Sequence, residues 1–154
     1  MANTFVLQGV VTASANDTYT QVAVNTGLTG LDKSAFRIKD LIIEHPAFQN
    51  ALGNQKSEFQ ITRGSKAAMV NYADSSLLIR DVRQMLLNTA GSFYADNVKE
   101  LIPQGDIIIV ETVIYVAMKT TLSGAIGTLQ YKLLLEEINI SADQRVQILS
   151  SRLP

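Results

Sequence analysis

The sequence predicts an all-β domain, a sandwich of two antiparallel sheets that is followed by a short C-terminal helix. About eight segments rich in Ile, Val, Thr and aromatic residues alternate with turn signals, which is the spacing of a two-sheet sandwich. At 154 residues the chain is long enough to bury one core, and it contains no repeat, linker or low-complexity tract. We therefore predict a single domain over residues 1–154.

The strongest strand signal lies in residues 106–141. Residues 106–119 read DIIIVETVIYVAMK and are apolar on both faces, which is typical of a strand buried on both sides. Residues 128–141 read TLQYKLLLEEINIS and begin with strict alternation of polar and apolar side chains. The segment TTLSGAIG between them contains two glycines, which favour a turn. We predict a long antiparallel hairpin at the centre of the domain.

Earlier segments are predicted as strands from the same alternation. Residues 4–14 and 18–24 flank the turn signal SAND and are expected to form an N-terminal hairpin. Residues 36–44 form a third strand, which ends before a proline because proline cannot donate to a sheet. Residues 57–63 alternate as a half-exposed strand, and residues 67–72 are a short strand candidate.

Two segments fit more than one structure. Residues 75–87 contain apolar spacings of three and four, which favour a helix, yet the run LLIRDV also suits a strand. We predict a strand through Arg80 and leave residues 81–87 open between helix and strand. Residues 94–101 stay open between a short helix and a turn.

The end of the sequence changes to a helical pattern. Ser141 and Gln144 fit a capping box, in which each side chain satisfies the backbone N–H of the other residue. An apolar stripe follows at helical spacing, made of Ala142, Val146, Leu149 and Leu153. We predict a short amphipathic helix whose stripe packs on its own sheet, with packing on a neighbouring molecule as the alternative.

Composition and charge narrow the classes of partner. Charged residues make up 18%, below the usual share of about 25%, which favours a surface that partners partly cover. Thirteen Lys and Arg balance fourteen Asp and Glu without a basic run, so direct nucleic-acid binding through an arm is not expected. The absence of cysteine excludes disulfides and thiolate metal sites. We expect neither a signal peptide nor a transmembrane segment.

The sequence carries no catalytic, cofactor or metal motif. His45 is the single histidine, so one chain cannot supply two or three histidines to a metal, and no G-x-S-x-G elbow is present. We expect His45, beside a proline, to be a turn residue or an interface contact. Asp40 and Glu44 share a strand face, but about 13 Å separates their backbones, whereas glycosidase carboxylates lie about 5–9.5 Å apart. Asp40 is expected to pair with Arg80 or Arg83, or to lie where its strand leaves the core. We predict no enzyme activity and no cofactor.

Residues 106–141, together with the closing helix, resemble the last strands of single jelly-roll capsid proteins of viruses. The resemblance implies a jelly-roll sandwich and a coat subunit that assembles into an icosahedral shell through its edges and loops. It also implies a protein of the virion, synthesised in the host cytoplasm. Capsid subunits that package RNA often carry a basic arm, which this sequence lacks, so the genome would be held in another way.

We therefore expect a structural, self-assembling protein whose partners are copies of itself and other virion proteins. Chain ends are freest to exchange between subunits, so six residues are expected to reach a neighbour: Phe5, Val6, Leu7, Ile148, Leu149 and Leu153. A decoration or tail-tube protein is the alternative within the same class. A sandwich that binds sugar or peptide would need clustered aromatic residues, for which Tyr72, Phe93 and Tyr94 are the candidates. An enzyme would need His45 and a carboxylate to converge in a pocket.

Overall fold

A computed structural model describes residues 3–29, 33–48, 54–87, 93–96, 106–122 and 126–150. These residues form nine strands and one short helix. The strands are β1 (Thr4–Thr12), β2 (Tyr19–Asn25), β3 (Ser34–Glu44), β4 (Gln55–Thr62), β5 (Leu77–Leu87), β6 (Phe93–Asp96), β7 (Ile108–Ile109), β8 (Val113–Thr121) and β9 (Thr128–Asn139), and the helix is α1 (Ala142–Ser150).

The strands form two antiparallel sheets whose pairing is nested along the chain. Sheet A has the order β1-β9-β3-β7, and sheet B has the order β2-β8-β4-β5-β6. The first strand pairs with the last, β2 pairs with β8, β3 pairs with β7, and β4 pairs with β5. Successive pairs fall in opposite sheets, which is the topology of a jelly roll with β6 added at one edge. The predicted fold is confirmed: a two-sheet antiparallel sandwich of jelly-roll type with a short C-terminal helix.

Both predicted hairpins are wrong, because consecutive strands change sheet instead of pairing with each other. β1 and β2 lie in different sheets, and so do β8 and β9. The two connections run side by side: the Ala13 amide donates to the Gly127 carbonyl (2.9 Å), and the Asp17 amide donates to the Thr120 carbonyl (2.7 Å). β1 and β2 therefore pair with strands that lie far along the chain.

The stretch predicted as one strand over residues 106–119 is two strands in different sheets. β7 belongs to sheet A and contributes Ile109 to the core. β8 belongs to sheet B and contributes Ile114, Val116 and Met118. The side chains that face the main core thus change from odd to even numbers between the two strands. A single strand that is apolar on both faces and two short strands of opposite parity give the same sequence pattern, which explains the error.

The structure also shows the conformation of five other predicted segments, in full or in part. β3 and β4 confirm the strands expected at residues 36–44 and 57–63, and β5 continues to Leu87, so residues 81–87 are a strand. The strand candidate at residues 67–72 is wrong, because this segment belongs to the irregular connection between β4 and β5. Of residues 94–101, the first three belong to β6 and the others lie outside the described part of the chain.

The core lies between the two sheets and contains a close contact at a glycine. Its largest fully buried apolar side chains are Phe59, Ile61, Leu78, Ile79, Ile109, Ile114, Met118, Leu129, Leu133 and Leu135. The ring of Tyr131 packs 6.0 Å from the ring of Phe59, and burial raises the pKa of Tyr131. Gly9 lies opposite Tyr131 on β1, where a Cβ would come within 2.5 Å of the tyrosine oxygen. Glycine therefore leaves room for the aromatic ring on the inner side of sheet A.

The predicted capping box forms at the start of α1. The Ser141 amide donates to Oε1 of Gln144 (2.8 Å), and the Gln144 amide donates to Oγ of Ser141 (3.1 Å). Within the described ranges, neither α1 nor any other helix has the length and apolar character needed to cross a membrane.

The prediction that the apolar stripe of α1 packs on its own sheet is wrong. Val146 is 63% exposed and Leu149 is 46% exposed. The helix instead contacts the sandwich through Ile148, which packs against a small cluster of Ala35, Val110 and Ile140. Arg145 fixes this orientation, because its guanidinium donates to the carbonyls of Ser34 and Val110, both at 3.2 Å.

Candidate functional site

Three of the predicted interface residues lie on β1, at an edge of sheet A. Val6 is 51% exposed on the outer face of the sheet, and Phe5 is also exposed, near the end of the strand. Leu7 faces inward and packs against the core. The structure therefore places two of these three side chains where a neighbour can reach them, and their role in an interface stays a prediction.

The other predicted interface residues follow sheet A in the chain. Ile148 is partly buried within its own subunit, Leu149 is exposed, and Leu153 lies outside the described residues. The start of β1 and the start of α1 lie at the same end of sheet A. Asn3, just before β1, donates to Glu137 near the end of β9 (3.0 Å), and α1 begins shortly after β9, at Ala142.

Two edge strands without charge form one open side of the sandwich. β1 (TFVLQGVVT) and β2 (YTQVAVN) contain no charged residue and no proline. Among the strands that the structure describes, each is paired on one side only, and the two lie against each other. Natural edge strands are usually short, charged or interrupted, because open edges pair with other chains. The sequence shows this absence of charge, but the hairpin interpretation treated both strands as already paired.

The outer face of sheet A, beside this open side, is also apolar and exposed. Val6, Val10 and Ile42 project from it and are 51%, 56% and 54% exposed. A shallow groove of about 400 Å³ crosses the face, and its outward-facing walls are Gln8, Val10, Ile42, Glu44, Gln130 and Lys132. Single exposed apolar residues are common on proteins, but several on one flat face are typical of a contact surface.

A buried polar cluster joins the two sheets at His45. The imidazole follows β3 of sheet A, and its Nε2 lies 3.1 Å from Oδ2 of Asp81 on β5 of sheet B. Its Nδ1 lies 2.7 Å from Oγ of Ser57 on β4. A carboxylate accepts hydrogen bonds, so Nε2–H donates to Asp81, and in the neutral imidazole Nδ1 accepts from the Ser57 hydroxyl. These three residue types are those of a hydrolytic triad.

The burial of the cluster favours a structural role over catalysis. Ser57 is 0% exposed, and the side chain of His45 is 6% exposed. A nucleophilic serine must reach a substrate atom, and the groove on sheet A does not include these residues. The expectation that His45 is a turn residue or an interface contact is wrong, because its side chain is bonded inside the subunit. The cluster instead connects β3 to β4 and β5.

The outer face of sheet B is covered by the connection between β4 and β5. Gln60 is fully buried there, and its Oε1 accepts from the Val70 amide (2.9 Å) while its Nε2 donates to the Tyr19 hydroxyl (3.1 Å). Arg80 donates to Glu58 at 2.7 Å and lies 5.3 Å from the centre of the Tyr72 ring. β4 is therefore mostly buried on both faces, whereas the sequence predicted a half-exposed strand.

The remaining sequence candidates do not converge on a site in the described residues. Arg80 pairs with Glu58, and Asp40 is exposed, so the alternative in which Asp40 lies outside the core holds. Tyr72 contacts Arg80, and the side chains of Phe93 and Tyr94 lie outside the described part. Within the same residues, no group of three or more His, Cys, Asp or Glu side chains is placed to hold a metal ion.

Comparison with protein-family models, with curated proteins and with solved structures found no match. The function of the chain is therefore inferred from its own residues.

Proposed function

We propose that this chain is a structural, self-assembling subunit, a viral capsid (coat) protein that builds an icosahedral shell from copies of itself. The observation that carries the proposal is the open side of the jelly roll, where two uncharged edge strands meet. Unpaired N–H and C=O groups along such edges are a template for pairing with another chain. Closed assemblies arise when this pairing repeats with a fixed geometry.

The surface next to the open side supports the same function. Val6, Val10 and Ile42 are more than half exposed on the outer face of sheet A, and Val146 is exposed on α1. Association is favourable when a partner removes these apolar side chains from water. A net charge of −1 keeps repulsion between copies low. The proposed location is the virion, and no basic arm is proposed to bind the genome.

The buried cluster around His45 supports a role without chemistry. Its serine is inaccessible, and both imidazole nitrogens of His45 have partners inside the sandwich. A shell subunit needs a rigid sandwich but does not need reactive groups. We therefore propose that the chain is not an enzyme.

Light scattering and negative-stain electron microscopy of the purified protein test the proposal. We expect closed shells or large regular oligomers across a range of salt and pH. Assembly should persist at about 1 M salt, where the Debye length is about 3 Å, because the proposed contacts are uncharged. A strict monomer at high protein concentration under every condition would contradict the proposal. Assembly only on a preformed particle, or into tubes, would favour a decoration or tail-tube protein.

The groove on sheet A favours a second candidate, a sandwich that binds a sugar or peptide. Its polar walls, with Glu44 and Lys132, offer donors and acceptors around Ile42. No aromatic ring faces outward among its lining residues, which disfavours sugar stacking. Saturable binding of an oligosaccharide or peptide by a monomer, abolished by Lys132→Ala and retained by Lys66→Ala, would support this candidate over assembly.

A further inference from the structure

We infer that β1 pairs with β1 of a second copy, antiparallel and across a two-fold axis at Gln8, so that sheet A continues from one subunit into the next. The inference rests on the proposed function and deepens it, because it names the contact through which two subunits associate. It follows from the backbone of β1, from its sequence and from the side of the sandwich on which it lies.

The backbone of β1 is a regular template over its whole length. All nine residues pair with β9 in one register, from Thr4 opposite Glu136 to Thr12 opposite Thr128, without a bulge. In an extended strand about half of the N–H and C=O groups point to each side, so one set remains available at the open edge. The strand contains no proline, so every residue that faces the edge has an N–H to donate.

The sequence of β1 is complementary to itself when it is reversed about Gln8. In that register Val6 lies opposite Val10 of the second copy, and Thr4 lies opposite Thr12. Val6 and Val10 are 51% and 56% exposed on the outer face of sheet A, so both exposed valines gain an apolar partner. Pairs of β-branched residues are favourable across antiparallel strands, and no like charges meet. The register uses all nine residues of the strand.

The neighbouring strand explains why the partner is a second copy of this chain. A two-fold axis beside β1 also brings the β2 edges of the two subunits toward each other, because β1 and β2 lie on the same side of the sandwich. β2 carries no charge, so this approach adds no repulsion. A two-fold contact uses the same patch on both subunits, which is what a self-complementary strand requires.

Charge substitutions test the register. Val6→Lys with Val10→Lys places lysine opposite lysine at two positions and should weaken association roughly tenfold or more. Val6→Lys with Val10→Glu places opposite charges across the same contact and should restore association. Ile126→Lys, on an exposed loop residue, is the matched control and should associate like the unchanged protein. Sedimentation velocity measures association, and circular dichroism with urea unfolding checks that each variant is folded.

A cysteine at the axis gives a second test that does not depend on charge. The chain contains no cysteine, so Gln8→Cys introduces a single thiol. Directly opposed residues of antiparallel strands have Cα atoms about 4.5–5.5 Å apart, within disulfide range. Gln8→Cys should therefore form a disulfide dimer under mild oxidation. Val6→Cys should not, because the two copies of residue 6 would be offset by four residues, or about 13 Å.

Three results together would support the inference. Gln8→Cys forms a disulfide dimer and Val6→Cys does not. The double-lysine variant associates weakly, and the lysine–glutamate variant associates like the unchanged protein. If the unchanged protein assembles but the double-lysine variant assembles equally well, the β1 contact is overturned and the proposed function stands on other surfaces. Dissociation without rescue would overturn the two-fold register. If the unchanged protein is always monomeric, the proposed function fails and this contact fails with it. Should the double-lysine variant not fold, equal oxidation of Gln8→Cys and Ile126→Cys would overturn the contact.

Discussion

The outer faces of the two sheets differ in how far the chain itself covers them. Around β4 and β5, sheet B is covered on both faces by groups of its own chain: His45 contacts the inner face, and the connection between β4 and β5 covers the outer face. Sheet A buries only its inner face, and Val6, Val10 and Ile42 remain exposed on the other. The comparison indicates that sheet B is held mainly by contacts within the chain, whereas sheet A leaves an apolar outer surface exposed.

The largest effect is expected from loss of the link between the sheets. His45→Ala should lower the free energy of unfolding by about 2–4 kcal/mol, because it leaves buried Asp81 and Ser57 without their partner. The neighbouring Glu44→Ala removes an exposed side chain and should change the same quantity by less than about 0.5 kcal/mol. Urea unfolding measures both. Equal values for the two variants would show that the cluster contributes nothing to stability.

A matched pair of glutamines compares the two outer faces directly. Gln60→Ala on sheet B should cost about 2–3 kcal/mol, because it removes hydrogen bonds to the Val70 amide and the Tyr19 hydroxyl in a buried site. Gln130→Ala on sheet A removes the same side chain from an exposed site and should cost less than about 0.5 kcal/mol. Similar losses in urea unfolding would contradict the division between a covered and an open sheet.

The covering connection should also give a measurable dependence on acid. Hydrogen bonds from Ser76 and Lys66 lower the pKa of Asp74 to about 2, from an ordinary value of 3.8. The carboxylate therefore contributes stability above about pH 4, and this contribution is lost as the pH falls through about 2. Asp74→Asn should flatten the fall of the urea midpoint between these pH values, and Ser76→Ala should flatten it partly. An unchanged slope in Asp74→Asn would show that Asp74 is not responsible.

The smallest effect is expected on the open face. Val10→Thr keeps the β-branched shape and adds a hydroxyl that water can solvate, so it should change the stability of the dilute monomer by less than about 0.5 kcal/mol. The same change at Val116, which is fully buried, should cost about 1–3 kcal/mol because its hydroxyl lacks water. If both variants lost equal stability by urea unfolding, the outer face of sheet A would have to be covered by its own chain.

The sequence predicts most strands and the sandwich, but it does not predict which strands pair. Alternation along β3, β4 and β9 is a local property that reports which face of a strand is buried. Partner choice is not local: in β1 the partner of Thr4 is Glu136, and in β2 the partner of Tyr19 is Lys119. The hairpin predictions assumed that neighbours in sequence pair, which holds for β4 with β5 and fails for the strands that change sheet.

The candidate sites show the same limit. Exposure of Phe5 and Val6 agrees with an argument from position in the chain alone. The His45 cluster was missed because its partners lie 12 and 36 positions away. One signal was present: Ser57 and Asp81 occupy inward positions in otherwise apolar alternation, next to Phe59 and Ile79. Polar residues at such positions need a buried partner, and the imidazole of His45 can supply one.

The nested pairing of the strands has a consequence for synthesis of the chain. The ribosome produces β1 before every other described strand, whereas its partner β9 is produced after all of them. β4 and β5 can pair as soon as both have emerged, and the outer pairs can then close around them, ending with β1 and β9. On each translating ribosome, the uncharged strand β1 is therefore exposed without its partner until β9 has been synthesised. We expect crowded translation to favour premature contact between nascent chains at β1, and chaperones to determine how much of the protein reaches the folded state.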